Sequence, residues 1–298
     1  MFLYLSHIIY PFKHEKLYIQ DTSLIIKMVY KKDELVFLGS GGGRHHIRTQ
    51  FRATGGILYK FNGIQSHIDP GPGATVRINQ FKEDPLKTEL FIVTHAHIDH
   101  MNDLSVIIES SREILHDRKY NYYKKGTLIT TSEVIKYTSD YHLNMLENIV
   151  EFKAGYSYDY KDVKIIGTKT VHSPKNEGFG VKFNLKDYSI AFSSDTKVYD
   201  SFSEEFSGVD ILVLNLLRPN SVVCKRHLCT DEVIPYLNKI VPPLRGLIIT
   251  HFGTYMDSTK STQNYVPSQV RKLQKTTNIK KILAAEDGLK LKISKLLK

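Results

Sequence analysis

The sequence predicts a mixed α/β protein, and three observations carry that expectation. Short apolar runs rich in β-branched and aromatic residues alternate with segments whose apolar residues recur at helical spacing, from Glu34 to Ile293. No internal repeat or low-complexity linker interrupts the alternation. At its centre, Thr94-His95-Ala96-His97-Ile98-Asp99-His100 places four metal-ligand side chains at the junction of a strand-like and a helix-like segment. A chain of 298 residues, 41% of them hydrophobic, can bury a large core. Residues 31–298 are read as one domain and residues 1–30 as an N-terminal extension.

In chain order, residues 1–30 are apolar and aromatic. The run Phe2 to Tyr10 is too short to cross a bilayer, and it has neither a basic start nor a small-residue cleavage site. No membrane anchor is read there; an added β element, a mobile arm or a later start at Met28 all stay open. Glu34 to Leu38 reads as a strand running into Gly39-Ser-Gly-Gly-Gly43. That turn is not a phosphate-binding P-loop, because no Gly-Lys-Ser/Thr follows and the next residues carry no helical period. Arg44, His45, His46, Arg48 and Arg52 read either as a loop that reaches the central stretch and holds a phosphate through charge-assisted bonds or as a merely solvated loop. Gly56 to Phe61 and Ile64 to Ile68 flank Asn62-Gly63, the signal of a type I′ hairpin. This hairpin delivers Asp69 to Pro70-Gly-Pro-Gly73, a tight and rigid exit.

Glu89 to Thr94 reads as a buried strand, and Met101 to Leu115 as a helix with Leu104, Ile107, Ile108 and Leu115 on one face. Thr127 to Thr130 is the next strand, with Ser132 as an N-cap behind it. Tyr141 to Lys161 takes no single assignment. Val163 to Val171 is a strand ending at His172; Phe179 to Leu185 and Tyr188 to Phe192 form a hairpin turning at Lys186-Asp187, with Asp195 just beyond. Asp210 to Leu217 is buried strand. A helix from Thr230 to Ile240 tolerates Pro235 near its start and is stopped by Pro242-Pro243. Gly246 to Thr250 is a strand ending at His251, Pro267 suits a first helical position, and Ile282 to Ile293 reads as two strands joined at Asp287-Gly288.

The net charge of +10 favours anionic partners: nucleic acid, phosphorylated metabolites or a membrane surface, unless it is only a lysine-rich composition. Two cysteines, Cys224 and Cys229, make no disulfide framework, which suits a reducing cytoplasm. With His227 between them they lack the second pair that a zinc site needs, so they are read as buried or inert thiols.

The central stretch carries the chemistry. Imidazole and carboxylate are ligands for zinc, or for manganese or iron in a mixed nitrogen and oxygen site. His95 and His97, at i and i+2 on extended chain, share a face and grip one ion; Asp99 and His100, past the bend, grip another. This motif, as it stands in THAHIDH, resembles the signature of the metallo-β-lactamase fold superfamily. The resemblance extends to Asp69, His172, Asp195 and His251, each after a strand-like run and in the family's order, and it covers the chain from about Leu35 to about Ile293.

The resemblance implies an αββα sandwich with two divalent ions, zinc first and manganese or iron as alternatives. It gives His95, His97 and His172 to one ion, Asp99, His100 and His251 to the other, and Asp195 to both. Asp69 would orient a ligand histidine or the activated water. Two close divalent ions lower the pKa of a shared water and stabilise charge on a displaced oxygen, so hydrolysis by a metal-bridged hydroxide follows and redox does not. The oxygen-reducing branch needs a carboxylate where His97 stands, and a true β-lactamase would not supply a carboxylate at Asp195.

Within the family the chain is most similar to the tRNA 3′-processing endonuclease (tRNase Z)-like phosphodiesterases, which carry a further histidine before a Ser-Thr pair. Lys225-Arg226-His227-Leu228-Cys229-Thr230 is a partial match. It implies His227 as leaving-group acid beside Asp99 and Asp69 in the catalytic set, and Arg44, Lys225 and Arg226 as contacts to substrate phosphate. No glycine- and proline-rich arm lies between His172 and Asp195, so a smaller phosphodiesterase or a nuclease with another binding surface fits better. The expected partner is a phosphodiester or nucleic acid; a homodimer is compatible. The competing reading is a lactonase, thioesterase or glyoxalase-like hydrolase with the same ligands.

Overall fold

Nearly every strand-like run is apolar at consecutive positions, which requires two buried faces. In the computed structural model, which describes residues 32–112, 124–174, 177–257 and 264–298, the inner strands of each sheet lie that way, while strands at the sheet edges expose a face. The strands are β1 (Glu34–Phe37), β2 (Ile57–Phe61), β3 (Ile64–Ile68), β4 (Thr88–Val93), β5 (Thr127–Thr130), β6 (Asn148–Glu151), β7 (Ser157–Tyr160), β8 (Val163–Lys169), β9 (Phe179–Asn184), β10 (Ser189–Phe192), β11 (Ile211–Asn215), β12 (Gly246–Thr250), β13 (Lys281–Ala284) and β14 (Lys290–Lys292). One sheet runs β14-β1-β2-β3-β4-β5-β6 and the other β13-β12-β11-β10-β9-β8-β7. Each is antiparallel at one end and parallel at the other: the parallel pairs are β3 to β6 in the first and β10 to β13 in the second.

Strand alternation sorts the apolar side chains into layers. Leu90 and Ile92 of β4 enter a central core with Ile211 and Val213 of β11, between the sheets. Phe91 and Val93 face outward onto Leu104, Ile107 and Ile108. On the other side Leu212 and Leu214 pack with Phe202, Val233, Leu237 and Leu273. Helix, sheet, sheet, helix is the αββα sandwich that the resemblance implies.

Several elements depart from the sequence reading. The stretch after the glycine turn is a helix, Gly43–Thr49, in which only His46 is buried, so no hydrophobic period marks it. A second unread helix, Ala74–Gln80, follows the Pro-Gly-Pro-Gly exit. The helix after His100 is two pieces, Ile98–Met101 and Leu104–Ser110, because the chain between them is pulled onto that exit. There the Asp103 amide donates to Pro70 O at 2.9 Å, and the Gly73 amide donates to the Asp103 carboxylate at 3.0 Å. Leu115 lies outside the described residues, as do all of residues 1–30. The N-cap is Thr131 rather than Ser132, its hydroxyl accepting from the Val134 amide. The span without an assignment holds the short helix Asp140–Leu143 as well as β6 and β7. The two last strands are joined at Asp287-Gly288 as expected, and because β13 pairs with β12 and β14 with β1 that turn crosses between sheets. No helix among the described residues is long and apolar enough to cross a membrane.

Candidate metal centre

All seven residues expected as ligands come together where the parallel strands end, on one side of the sandwich. Asp69 follows β3, His95 to His100 follow β4, His172 follows β8, Asp195 follows β10 and His251 follows β12. Carboxyl ends of parallel strands are where open α/β sheets place ligands, since the loops there fan out of the core. Three of these exits use left-handed backbone on residues other than glycine: Asp69 at φ 52°, Ser194 at φ 55° and His251 at φ 59°. Such conformations cost of order 1–3 kcal/mol each and cluster at functional sites.

The side chains form two groups. His95, His97, His172 and Asp195 offer ligand atoms within 4.8 Å of one another, and so do Asp99, His100 and His251. In the first group, His95 Nε2 and His172 Nε2 each lie 3.0 Å from His97 Nδ1. In the second, His251 Nε2 lies 3.8 Å from Asp99 Oδ2, and His100 Nε2 lies 3.9 Å from the same oxygen. Asp195 stands between them, with Oδ2 3.9 Å from His95, 3.7 Å from His172 and 3.4 Å from His100, and Oδ1 3.1 Å from His251.

Hydrogen bonds behind the rings set which nitrogen faces inward. His100 Nδ1 donates to Asp69 Oδ2 at 2.8 Å, and His172 Nδ1 donates to the Arg226 carbonyl at 2.9 Å. His95 Nδ1 lies 3.1 Å from the Thr94 hydroxyl, which itself donates to Asp69 and accepts from Ser194. With the Nδ1 atoms of His95, His100 and His172 engaged on the far side, their Nε2 atoms are left toward the centre, the arrangement that holds a metal-binding imidazole in register. The Asp99 carboxylate is fixed by the Gly43 amide at 2.7 Å, and Asp195 by the Asn215 side-chain amide at 2.9 Å. Gly42 is needed as glycine, because a Cβ there would fall 2.1 Å from His251 Nε2.

These residues fit a divalent cation. His100 Nε2 and His251 Nε2 are buried without a hydrogen-bond partner, a costly arrangement unless something else accepts their lone pairs. The charge states agree. Burial pushes the His95 imidazole well below its ordinary pKa, with His100 adding to the fall, and burial with His172 lowers His97. Asp195 is buried, which opposes ionisation, yet the facing His251 and His100 hold it well below the usual carboxylate range. His100 goes the other way: burial disfavours its charge, but Asp195, Asp69 and Asp99 raise it well above the ordinary value. The same carboxylates would favour a divalent cation at His100 Nε2 in place of that proton.

The centre opens into a cleft of about 570 Å³ walled by both groups and by Arg44, Arg226 and His227. His227 Nδ1 lies 3.6 Å from Asp195 Oδ2, its ring edge-on to His172 at 4.6 Å. Burial lowers its pKa to about 4, opposed by Asp195. Lys225 departs from the expectation: it is exposed and does not line the cleft. Cys224 and Cys229 are free thiols, the first half-buried and the second buried.

Residues 66–252 match the model of the Beta-lactamase superfamily domain. The chain belongs to the beta-lactamase superfamily. This is a superfamily of metal-dependent hydrolases, and its fold implies divalent metal binding. An uncharacterized protein of Methanocaldococcus jannaschii is 31% identical over 263 residues, covering 87% of this chain and 95% of its own length. Ribonuclease Z of Sulfolobus acidocaldarius is 25% identical over 231 residues, 60% of this chain and 74% of that enzyme. Among solved structures, the metallo-beta-lactamase fold protein YhfI from Bacillus subtilis superposes with a TM-score of 0.68 at 15% identity, covering 87% of this chain and 98% of that one.

The sequence reading passed over several groups around the centre. Asn215 could have been found, since it is the polar end of an apolar strand as the other site residues are. Gly42 and Gly43 carried no signal beyond a glycine run, and Arg218 none at all.

Proposed function

We propose that the chain is a dinuclear phosphodiesterase or nuclease, with zinc as the first candidate metal. Residues 31–298 are proposed to act as one domain in the cytoplasm. His95, His97 and His172 would hold one ion, Asp99, His100 and His251 the other, with Asp195 shared. Divalent ions held there supply Lewis acidity and bring the pKa of a water toward neutrality. The observation that carries the phosphodiester reading is His227: an imidazole on the wall of a basic cleft, 3.6 Å from the shared carboxylate and outside the two ligand groups assigned above, although it also forms a third cluster of ligand-type atoms with Asp195 and His251. A neighbouring histidine beyond those needed as ligands serves a proton-transfer role, and Arg44 and Arg226 on the same walls offer charge-assisted hydrogen bonds to an anionic ester. Similarity to a ribonuclease Z supports the same substrate class.

In this account a bound anionic ester offsets the burial that lowers the His227 pKa to about 4, and His227, once protonated, gives that proton to the leaving oxygen, while Asp69, through His100 and Thr94, keeps the centre's geometry unchanged during the reaction. His227→Ala lowers turnover about 10²-fold to 10⁴-fold on phosphodiesters with poor leaving groups, the usual worth of a general acid. Bis(p-nitrophenyl) phosphate, whose leaving group needs little protonation, is far less affected, and metal content stays the same. Equal losses on both esters would make His227 structural. Rapid lactone or thioester cleavage without phosphodiester turnover would assign the chain to the small-molecule hydrolases.

A further inference from the structure

Among the cationic side chains of the cleft, Arg218 is set apart by being half-buried and seated on an aromatic ring. Arg218 leaves the end of β11 three residues after Asn215, and its backbone amide donates to Leu228 O at 3.3 Å, beside His227. Its side chain lines the cleft with Arg44 and Arg226. The guanidinium sits over an aromatic face, its Cζ 4.1 Å from the centroid of the Tyr255 ring. Its Nε is buried without a hydrogen-bond partner, and no carboxylate among the described residues pairs with it.

Two arginines elsewhere in the chain are paired with carboxylates. Arg52 spends its guanidinium on Asp257, with hydrogen bonds of 2.5 and 2.7 Å, and Arg245 faces Asp210 at 3.6 Å. A half-buried cation with unused donors is unfavourable in isolation and favourable once an anion arrives. Stacking on an aromatic ring leaves the guanidinium edge free for bidentate hydrogen bonds, which match a phosphate better than a point charge does. Depth separates this platform from the reacting centre: Asp195 is 3% exposed, whereas Tyr255 is 53% exposed.

We propose that Arg218, seated on Tyr255, is an anion subsite for a second phosphate of the substrate, one that is not cleaved. The inference rests on the phosphodiester reading and narrows it to esters that carry another phosphate beside the scissile one, either along an oligonucleotide or in a diphosphate-linked dinucleotide. Arg218 is a specificity residue at the cleft mouth and takes no part in the bond-breaking step.

The metal-loaded protein and its Arg218→Ala, Arg218→Lys and Tyr255→Ala variants are compared on a dinucleoside monophosphate, the same compound with a 5′-phosphate, and a dinucleoside diphosphate. Wild type prefers whichever compound presents the second phosphate correctly, and the two arms tell oligonucleotide from diphosphate. Arg218→Ala erases that preference through KM, by about 10-fold to 100-fold. It leaves the dinucleoside monophosphate untouched. Arg218→Lys retains only part of the preference, and Tyr255→Ala weakens it. An unchanged preference, or an equal loss on all substrates, overturns the proposal while leaving the phosphodiesterase reading in place. Absence of any phosphodiester turnover by wild type overturns that reading instead. Inorganic pyrophosphate titrated into wild type and Arg218→Ala then decides the subsite, equal affinity refuting it.

Discussion

The floor of the site and its rim are built on opposite plans. On the floor, the three carboxylates are held by hydrogen bonds from neighbouring groups: Asp69 accepts from the Thr94 amide, the Thr94 hydroxyl and His100, Asp99 from Gly43, and Asp195 from Asn215. At the rim, Arg226 is exposed and Arg218 rests on a ring face without a hydrogen bond among the described residues. Floor groups sit on strand ends, whose positions the sandwich core dictates. Of the rim groups, Arg218 and Arg226 sit on loops, which the core does not constrain, and Arg44 on the short helix Gly43–Thr49, of which only His46 is buried. A centre meant to hold ions in fixed geometry needs the first plan, and a surface meant to meet a flexible anion tolerates the second.

If the floor is over-determined, disturbing the buried polar groups beneath it has the largest effects. His67, in β3, is buried, with Nε2 donating to the Gly55 carbonyl at 2.8 Å and Nδ1 without a partner. Burial lowers its pKa from 6.5 to about 4. The unfolded chain therefore binds the extra proton between those values. Its contribution to stability is complete above about pH 6.5 and is lost as pH falls toward 4, up to about 3 kcal/mol in all. In urea titrations at pH 7 and pH 4.5, His67→Gln shows a smaller drop in stability than wild type; an identical drop places the acid sensitivity elsewhere.

The next effect is smaller and more local. Asp69→Asn removes the carboxylate that fixes the His100 tautomer, so divalent-ion affinity falls about 10-fold to 100-fold. Competition with a chelator measures this, and unchanged affinity would mean that His100 needs no such support. Smallest of all is a change at the rim. Arg44→Ala raises KM for an anionic substrate a few-fold at low salt, and the difference shrinks as ionic strength rises. A salt-independent effect would place Arg44 in the floor rather than the rim.

How much of this was legible in the sequence follows the same division. THAHIDH, Asp69, His172, Asp195 and His251 could be read because each ends an apolar strand, and strand period survives in sequence. Helix Gly43–Thr49 could not be read, because it buries only His46 and so carries no period. Nor could the break at Asn102-Asp103, which depends on bonds to Pro70 and Gly73, thirty or so residues earlier. Lys225 looked like a phosphate contact by its neighbours in sequence, yet a loop residue's direction is set by tertiary packing, and here it misses the cleft. Arg218 was invisible for the converse reason, since the ring that holds it lies 37 residues away in the chain.

The account stands or falls on Asp195 as the residue shared by two ions. Wild type and Asp195→Ala, dialysed against excess zinc and then buffer, are compared by elemental analysis together with a thermal melt to verify folding. About two ions per chain in wild type and no more than one in a folded Asp195→Ala is the predicted result. The same metal content in both proteins would contradict a shared carboxylate, and with it the two-ion centre.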